Sequence, residues 1–450
     1  MSVYDYVIIG AGLAGLHCAR RLLDAQPHLK VIILEKYNYI GGRVVTFRRR
    51  IPGVGPVQWE NGAGRVHSTH RLVRSYMSRY GLTWSPIDDD YYVQDRDGDD
   101  LRRSTFPDRM LDYFTPLQFL PDGILQKSTI EKLLTKVVGS RDGKQLLSEF
   151  PYRAEVNTLR ADEGLRRMLA TDDVVGGDFG VCVEGLDKIV EGIAADVTDA
   201  GATILLGTTV DRIIKQDGSP IIYVETNTGT SSTKRIFMAH NVISALHSNA
   251  MKYIEGLADW PLLNAVAMRP LLRIYAVFPK PLFLTTKVVF ASNPLRYYIP
   301  IDVARGICMI SYTDADDTQT WMRDASAADL EPLEKKIMAC FRRAFPLERI
   351  PDPIYLKSHP WRDGCTYWLP VAKAATAPVN ATAAPAKTAP VNATATPVNA
   401  TAEPIPEGPH QIKPNIWACG ESFSPDKQCW MEGALESAEQ LVQHLIGDHN

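Results

Sequence analysis

The chemistry-bearing pattern nearest the start of this 450-residue chain is a glycine-rich turn. Gly10, Gly12 and Gly15 follow a short apolar run, residues 3–9, and open a helical pattern. In such a turn the first glycine permits a tight bend, the second lets the backbone approach a pyrophosphate, and the third lets helix and strand pack closely. Glu35 comes 20 residues after Gly15, where a carboxylate would accept hydrogen bonds from a ribose. The spacing therefore predicts a dinucleotide-binding site.

A second glycine pair follows six residues after Glu35. Gly41 and Gly42 precede Arg43, whose guanidinium carries a permanent charge and a planar fork of donors. A glycine pair with an arginine, this close to the predicted ribose-binding acid, suits a second contact to the same pyrophosphate. The alternative is a glycine turn followed by an arginine that faces solvent.

These patterns resemble the N-terminal fingerprint of the flavin-containing amine oxidase family. Residues 417–421 and 430–437 are similar to the second flavin signature of that family, and Gly185 and Val210 are similar to its middle segment. The resemblance implies FAD as the cofactor, held by three stretches of sequence that must meet in space. It places the cofactor contacts on the following residues: Gly10, Gly12, Ala14, Gly15, Glu35, Lys36, Gly42, Arg43, Gly64, Arg65, Val210, Gly420, Glu421, Trp430, Met431 and Ala434.

Residues 59–82 resemble the L-amino-acid oxidase branch of the family in particular. Arg65 matches the arginine that binds the substrate carboxylate in that branch. A planar guanidinium can make paired, charge-assisted hydrogen bonds to a carboxylate, which would fix the α-carbon of the substrate. The alternative is that Arg65 pairs with a neighbouring acid such as Glu60.

The predicted catalytic residues are Arg65, Arg273, Tyr298, Trp361 and Trp430. By resemblance, Trp361 lies near the flavin and Trp430 packs over the substrate. The hydroxyl of Tyr298 is expected to help hold the substrate carboxylate. Aromatic walls suit amine oxidation, because they exclude water from the amine and flank the reacting carbon.

Two residues depart from the family pattern. Arg273 stands where the family commonly has a lysine near the flavin, and because arginine keeps its proton, the electron acceptor is left open. Cys429 stands where the branch usually has glycine, which predicts a narrower pocket. Cys365 lies in a segment that resembles the covalent flavin attachment of mitochondrial monoamine oxidases, with an ordinary thiol as the alternative.

The glycine turn also predicts the element that carries it. Apolar residues at 3–9 and 30–35 flank a helical pattern from Leu13 to Ala25, and this strand–helix–strand unit requires a parallel sheet with a right-handed crossover. The predicted fold class is α/β, with a discontinuous Rossmann-like FAD-binding domain. The resemblance adds an α+β substrate-binding domain with a mixed sheet. Residues 203–214 are predicted as a single strand.

The predicted FAD-binding domain comprises residues 1–75, 177–262 and 405–450, and the substrate-binding domain comprises residues 76–176 and 263–371. The intervening stretch is a predicted low-complexity insert.

The insert, residues 372–404, repeats Pro-Val-Asn-Ala-Thr three times. It has too few large apolar side chains to offset the entropy of ordering, so a mobile surface segment is predicted. Its composition is similar to that of inserts in amine oxidase-like proteins of large algal DNA viruses, which would make the virion an alternative location.

Composition excludes several classes of partner. The formal charge is −3, from 49 basic and 52 acidic residues, which argues against nucleic acid. No apolar run reaches the ~18 residues that a membrane span needs. Seven scattered cysteines without an export signal predict reduced thiols and a cytoplasmic location. No metal site is predicted, and the expected assembly is a homodimer.

The predicted reaction is oxidative deamination of an amine by an FAD-dependent oxidase, with an L-amino acid as substrate and molecular oxygen as acceptor. Three alternatives stay open. The first is a monoamine or polyamine oxidase without a carboxylate clamp. The second is a desaturase or isomerase of the same fold, and the third is a flavin-binding structural protein without catalysis.

Overall fold

The structure is a computed structural model that describes residues 2–88, 90–169, 178–227, 234–371 and 408–447. The predicted insert at 372–404 lies outside the described residues. The strands are β1 (Val3–Ile9), β2 (Val31–Leu34), β3 (Thr46–Ile51), β4 (Gly55–Glu60), β5 (Val66–His67), β6 (Trp84–Pro86), β7 (Tyr91–Gln94), β8 (Arg102–Arg103), β9 (Phe179–Cys182), β10 (Thr203–Leu205), β11 (Thr209–Lys215), β12 (Ile222–Asn227), β13 (Arg235–Ser244), β14 (Val266–Val277), β15 (Lys287–Phe290), β16 (Tyr297–Asp302), β17 (Ile307–Asp314), β18 (Tyr355–Trp368), β19 (His410–Lys413) and β20 (Ile416–Ala418).

The α-helices are α1 (Leu13–Ala25), α2 (Arg71–Arg79), α3 (Phe106–Phe114), α4 (Asp122–Leu125), α5 (Ile130–Val137), α6 (Ser140–Ser148), α7 (Arg153–Asn157), α8 (Ala161–Leu169), α9 (Asp187–Asp199), α10 (Ser248–Met251), α11 (Gln319–Ala325), α12 (Glu331–Ala344) and α13 (Met431–Gly447). Short 3₁₀ helices span Thr115–Phe119, Pro261–Asn264, Val303–Arg305, Ala315–Thr318 and Glu421–Phe423. None of these helices combines the length and the apolar character that a bilayer crossing requires.

The first sheet has the strand order β10-β2-β1-β13-β12-β11, with β20 beside β13 and β19 beside β20. β1 pairs in parallel with both β2 and β13, and α1 makes the crossover between β1 and β2. Leu16, Ala19 and Leu22 of α1 are buried against the sheet together with side chains of α9 and α13. The predicted strand–helix–strand unit is therefore confirmed.

The single strand predicted over 203–214 is wrong, because the chain forms two strands there. β10 lies at one edge of the sheet and β11 at the other. Gly207 between them has a φ of +62°, a left-handed conformation that glycine adopts without penalty. The amides of Gly207 and Thr208 donate to carbonyls of Tyr37 and Glu35, which fixes the turn beside the end of β2.

The second sheet has the order β18-β14-β17-β16-β15-β7-β8 and is mixed, because β15 and β7 run in parallel while the other pairs are antiparallel. Successive residues of a strand point to opposite faces. Leu272 and Ile274 of β14 pack against the layer that holds α11 and α12, whereas Leu271 and Tyr275 point to the other face. We call this second face the aromatic face, since Trp59, Tyr275, Tyr297, Tyr312 and Trp361 lie on it.

Helices α3 to α8 form a separate layer with its own core, which includes Phe106, Phe114, Leu134 and Leu147. Asp314 at the end of β17 accepts hydrogen bonds from two backbone amides at the start of α7, and this contact fixes the helical layer to the second sheet. The boundaries of the two predicted domains stay a prediction.

Candidate active site

The glycine turn between β1 and α1 has one glycine required by packing and one that leaves space. A Cβ on Gly15 would overlap the carbonyl oxygen of Gly10, whose own φ is +103°. A Cβ on Gly12 would have only the carbonyl oxygen of Gly41 nearby, at 4.0 Å. Gly12 is also the N-cap of α1 and provides no capping side chain, so the first amides of the helix, including that of Ala14, face an open space.

Glu35 lies at the carboxyl end of β2, next to this turn. Its buried carboxylate accepts hydrogen bonds from the amides of Ala11, at 2.8 Å, and Tyr37, at 2.9 Å. These bonds hold the acid at the place where the sequence predicts the ribose. The neighbouring Lys36 is exposed, with its ammonium over the ring of Tyr37.

Two further glycines lie around the same open space. Gly42 has a φ of +59°, and a Cβ there would come within 3.6 Å of the Cα of Gly12. Gly420 has a φ of +122°, and a Cβ there would meet nothing within 4 Å. The amide of Cys419 donates to Ser244 at the end of β13, which positions Gly420 beside the first sheet. A bare backbone cradle of this kind fits a pyrophosphate.

Arg43 joins three distant parts of the chain. Its Nη1 donates to Oε1 of Glu421, at 2.6 Å, and to the carbonyl oxygen of Gly364, at 2.9 Å. Glu421 also accepts from the hydroxyl of Thr366 and the amide of Cys429. Burial raises the pKa of Glu421, but the charge of Arg43 and these donors outweigh it, so the pKa is lower than usual. The pair is therefore ionised at neutral pH.

The remaining predicted cofactor residues lie on or next to the first sheet. Met431 is buried and Ala434 half-buried in the first turn of α13, which packs against α1. Val210 is buried in β11, among the apolar side chains of the sheet. The three predicted stretches thus all contribute to the first sheet or to the helices that cover it.

Arg65 is surrounded by three aromatic rings. The carbon of its guanidinium lies 4.6 Å from the ring centre of Phe179, 5.1 Å from that of Tyr152 and 5.6 Å from that of Trp430. Phe179 and Trp430 are themselves stacked, with ring centres 5.4 Å apart. Tyr152 and Phe179 were not expected from the sequence, because they come from parts of the chain with no local pattern that points to a site.

Glu60 forms hydrogen bonds with other groups than Arg65. Its carboxylate accepts from the hydroxyl of Thr46 and from the amide of Leu186 at the start of α9. Burial raises the pKa of Glu60 to about 7, against the effect of these donors. The carbonyl oxygen of Glu60 accepts from the hydroxyl of Tyr275 and from Nη1 of Arg273. Glu60 therefore connects the loop before Arg65 to the second sheet.

Arg273 lies on the aromatic face of the second sheet. Its guanidinium is 5.9 Å from the ring centre of Tyr312. A Cβ on Gly64 would come within 2.8 Å of Nη1 of Arg273, so the absence of a side chain at Gly64 makes room for this cation. Arg273 thus contacts the short loop, residues 60–65, that ends with Arg65.

Trp361 contacts this loop from β18. Its Nε1 donates to the carbonyl oxygen of Asn61, at 2.8 Å. A Cβ on Gly62 would lie 3.3 Å from the indole ring and would overlap the carbonyl oxygen of Arg43. The loop is therefore packed between Trp361 and the backbone of Arg43, and Gly62 is the residue at the point of closest contact.

The prediction for Tyr298 does not fit the structure. Its buried hydroxyl donates to the carbonyl oxygen of Leu284, at 3.0 Å, and its ring stacks on Phe341 of α12. The cause is the pleat of β16, which places neighbouring residues on opposite faces. Tyr297 points to the aromatic face, and Tyr298 points away from it into the helix-covered core.

Glu432 and His70 are site residues that the sequence did not reveal. The Glu432 carboxylate accepts from the amides of Leu72 and Val73, so it caps α2 from the start of α13. The His70 ring meets the edge of Trp430, with ring centres 5.2 Å apart. Burial, with the nearby positive charges, lowers the pKa of His70 to about 3, so this imidazole is neutral. Both residues hold the segment that carries Trp430.

Cys429, which replaces the glycine of the family pattern, has a φ of +71°. This left-handed conformation is unfavourable for residues with a Cβ. The Cys429 thiol donates to the carbonyl oxygen of Thr366, at 3.1 Å, and lies beside Cys365. The left-handed backbone at position 429 thus explains why the family pattern has glycine there.

Replacing Cys429 with glycine is expected to give a more stable protein than replacing it with alanine. Both variants lose the thiol contact, but only glycine relieves the left-handed strain, which costs about 1 kcal/mol. The difference in free energy of unfolding between Cys429→Gly and Cys429→Ala, measured by urea denaturation of the FAD-loaded proteins, should therefore be about 1 kcal/mol in favour of glycine. Equal stabilities would show that the backbone relaxes to another conformation.

Comparison with known proteins agrees with this architecture. The family model described as flavin containing amine oxidoreductase matches residues 13–446. The chain is 24% identical over 346 residues to polyamine oxidase 5 of Oryza sativa subsp. japonica. That match covers 68% of this chain and 66% of the rice protein. It is 46% identical over 77 residues to an L-amino-acid oxidase of Mus musculus. That match covers 17% of this chain and 11% of the mouse protein. The chain thus spans less than two thirds of each relative.

The fold is shared with solved structures. A putrescine oxidase bound to putrescine superposes with a TM-score of 0.70 and 13% identity, over 99% of both chains. A triple mutant of putrescine oxidase gives a TM-score of 0.71 and 14% identity, again over 99% of both chains. These likenesses establish the predicted α/β fold with two kinds of sheet. The chain belongs to the family of flavin-containing amine oxidoreductases, and its cofactor is FAD.

Proposed function

We propose that this protein is an FAD-dependent L-amino-acid oxidase. The reaction would convert an L-amino acid, oxygen and water into the keto acid, ammonia and hydrogen peroxide. The observation that carries the proposal is the position of Arg65, whose guanidinium lies among the rings of Tyr152, Phe179 and Trp430. A carboxylate placed there would gain paired, charge-assisted hydrogen bonds next to rings that are buried or half-buried.

The cofactor would be held by the cradle between the two glycine turns and Gly420. Gly12, Gly42 and the first amides of α1 suit the pyrophosphate, and Glu35 suits a ribose. The Arg43–Glu421 pair fixes the strand β18 against this cradle. When bound, FAD supplies the acceptor for the two electrons of the amine.

The side chains of the site would then act by placement and by excluding water. Arg65 binds the carboxylate and so fixes the α-carbon, while the ring of Trp430 covers the substrate. Trp361, held by Asn61, forms a second aromatic wall. Orientation of the α C–H bond and desolvation of the amine are the contributions that these residues can make.

Two cations near the loop at 60–65 support an anionic substrate group over a polyamine. Arg273 and Arg65 both border the loop at 60–65, and Arg273 donates to a carbonyl oxygen rather than to an acid. A polyamine carries several positive charges, which these cations would repel. A polyamine oxidase remains the second candidate, favoured by the longer sequence match to the rice enzyme.

The products distinguish the candidates. The FAD-loaded protein is incubated in air with each of the twenty L-amino acids, their D-enantiomers, putrescine and spermidine, and peroxide and ammonia are measured together. We expect both products with one or more L-amino acids and neither product with the D-enantiomers or the polyamines. Peroxide from a polyamine, with none from any amino acid, would establish the second candidate instead.

A further inference from the structure

Arg167 on α8 is a buried cation that pairs with no acid among the residues that the structure describes. It is 5% exposed. The two other arginines that are buried to a similar degree each face a carboxylate: Arg160, 7% exposed, pairs with Asp162, and Arg296, 8% exposed, pairs with Asp317. No acid in the described part of the chain pairs with Arg167, whose Nε is buried without an acceptor.

The single polar contact seen for Arg167 is weak. Its Nη2 lies 3.5 Å from Oε1 of Gln428, at the limit of a hydrogen bond. The same oxygen of Gln428 already accepts from the amide of Trp368, at 2.9 Å. A neutral and shared acceptor does not compensate the desolvation of a guanidinium, which costs several kcal/mol. This guanidinium is therefore suited to receive an anion from outside the chain.

The position of Arg167 connects it to the proposed substrate site. Gln428 is fixed at its other end by donating to Ser422, and it comes two residues before Trp430. Burial raises the pKa of the Cys429 thiol between them, and the charge of Arg167 opposes that effect, so the guanidinium lies close to this segment. Arg167 thus lies near Gln428 at one end of the segment 428–430, and Arg65 lies over the ring of Trp430 at the other end.

Arg269 is a further cation of this region, and the structure shows it bound to a hydroxyl group. Nε of Arg269, half-buried on β14, donates to the hydroxyl of Thr158, at 3.1 Å. Arg269 lies across from Cys365 in the pairing of β14 and β18. Arg167 and Arg269 thus both lie where the helical layer and β14 approach the segment 428–430.

We infer that Arg167 binds a second acidic group of the substrate, so that the substrate class is the dicarboxylic amino acids. This inference rests on the proposed function, in which Arg65 binds the α-carboxylate. The carboxylate of the side chain would then supply the negative charge that Arg167 does not meet among the described residues. A neutral side-chain amide of the same shape would leave the guanidinium uncompensated.

The test compares isosteric substrates on the FAD-loaded full-length protein. The ratio of kcat/KM for L-glutamate over L-glutamine, and for L-aspartate over L-asparagine, is measured for the wild type, Arg167→Gln, Arg167→Lys and Arg166→Gln. Arg166 is the matched control, because it is more exposed and pairs with Glu163. In the wild type and in Arg166→Gln, we expect at least one of the two ratios to be about 10² or more. In Arg167→Gln, the same ratio should fall to a value of a few.

A binding measurement without turnover complements the kinetics. Succinate and glutarate carry two carboxylates and no amine, so they should raise the melting temperature of the wild type and perturb its flavin absorbance. The monocarboxylate butyrate should have a much weaker effect, and Arg167→Gln should lose the difference between mono- and dicarboxylates. Far-ultraviolet circular dichroism and flavin content establish that each variant is folded.

The two proposals fail in different ways. If L-amino acids are oxidised but the glutamate and aspartate ratios are near one, or if a high ratio persists in Arg167→Gln, the inference for Arg167 is wrong and the proposed function stands. If polyamines are oxidised and no amino acid is, the proposed function is wrong and the inference falls with it.

Discussion

Replacing Arg65 with methionine is expected to lower kcat/KM for the best L-amino-acid substrate by about 10²–10³-fold, mostly through KM. The substitution retains an unbranched side chain among Tyr152, Phe179 and Trp430 but removes the charge and the paired donors. The amine that lacks the α-carboxylate should be affected only a few-fold, since it has nothing for Arg65 to bind. The measurement is therefore the ratio of kcat/KM for the amino acid over its decarboxylated amine.

Arg74→Met is the matched control for this experiment. Arg74 lies on α2, and its guanidinium also covers an aromatic ring, that of Trp84, at 4.6 Å. The loss of a cation over a ring outside the site should leave the substrate ratio unchanged. If Arg65→Met also leaves the ratio unchanged, the carboxylate clamp is refuted.

Replacing Gly12 with valine is expected to weaken FAD binding strongly while the polypeptide still folds. Gly12 has an ordinary φ of −79°, and a Cβ there would meet no protein atom closer than 4.0 Å. A side chain would instead occupy the space in front of α1, where the pyrophosphate is proposed to bind. Overpacking of this kind should weaken FAD binding by about 100-fold, measured by titrating the apoprotein with FAD and following flavin fluorescence.

Two other glycines separate this effect from a general defect in folding. A Cβ on Gly15 would overlap the carbonyl oxygen of Gly10, so Gly15→Ala should destabilise the apoprotein itself by about 1–3 kcal/mol. A Cβ on Gly123 in α4 would meet nothing, so Gly123→Ala should change neither stability nor FAD binding appreciably. Normal FAD affinity in Gly12→Val would place the pyrophosphate elsewhere.

Local sequence patterns were sufficient for the elements that carry the cofactor cradle. The glycine turn, the acid at Glu35 and the apolar stripe of α1 all lie within one strand–helix–strand unit, where the periodicity and the glycines agree with each other. The convergence of this unit with Glu421 depends on tertiary contacts and came from the resemblance. The contact between Arg43 and Glu421 is consistent with it.

The substrate side of the site was less predictable, since it depends on strand register and on distant contacts. A shift of one residue along a strand reverses the face of a side chain, and this reversal separates Tyr297 from Tyr298. Phe179 of β9 meets Arg65 because β9 pairs with β5, the strand that begins directly after Arg65. No local pattern contains that information.

Buried groups that receive their partners from remote segments were also not predicted. Glu432 caps α2 across a large separation in sequence, and its role cannot be read from the residues around it. The same holds for Arg167, which reads as one of two adjacent arginines on a helix. In the described part of the chain, its burial and the lack of an acid beside it distinguish Arg167 from Arg166.

The central claim, that the carboxylate of an amino acid directs it to the flavin, is tested most directly without oxygen. The FAD-loaded protein is mixed anaerobically with an L-amino acid, with its D-enantiomer, with its decarboxylated amine or with putrescine, and the loss of flavin absorbance is followed by stopped flow. Because oxygen takes no part, the arginine at position 273 does not complicate the result. Rapid bleaching by an L-amino acid, with the other three at least about 100-fold slower, is the predicted result. Bleaching by putrescine or the decarboxylated amine, and by no amino acid, would contradict it.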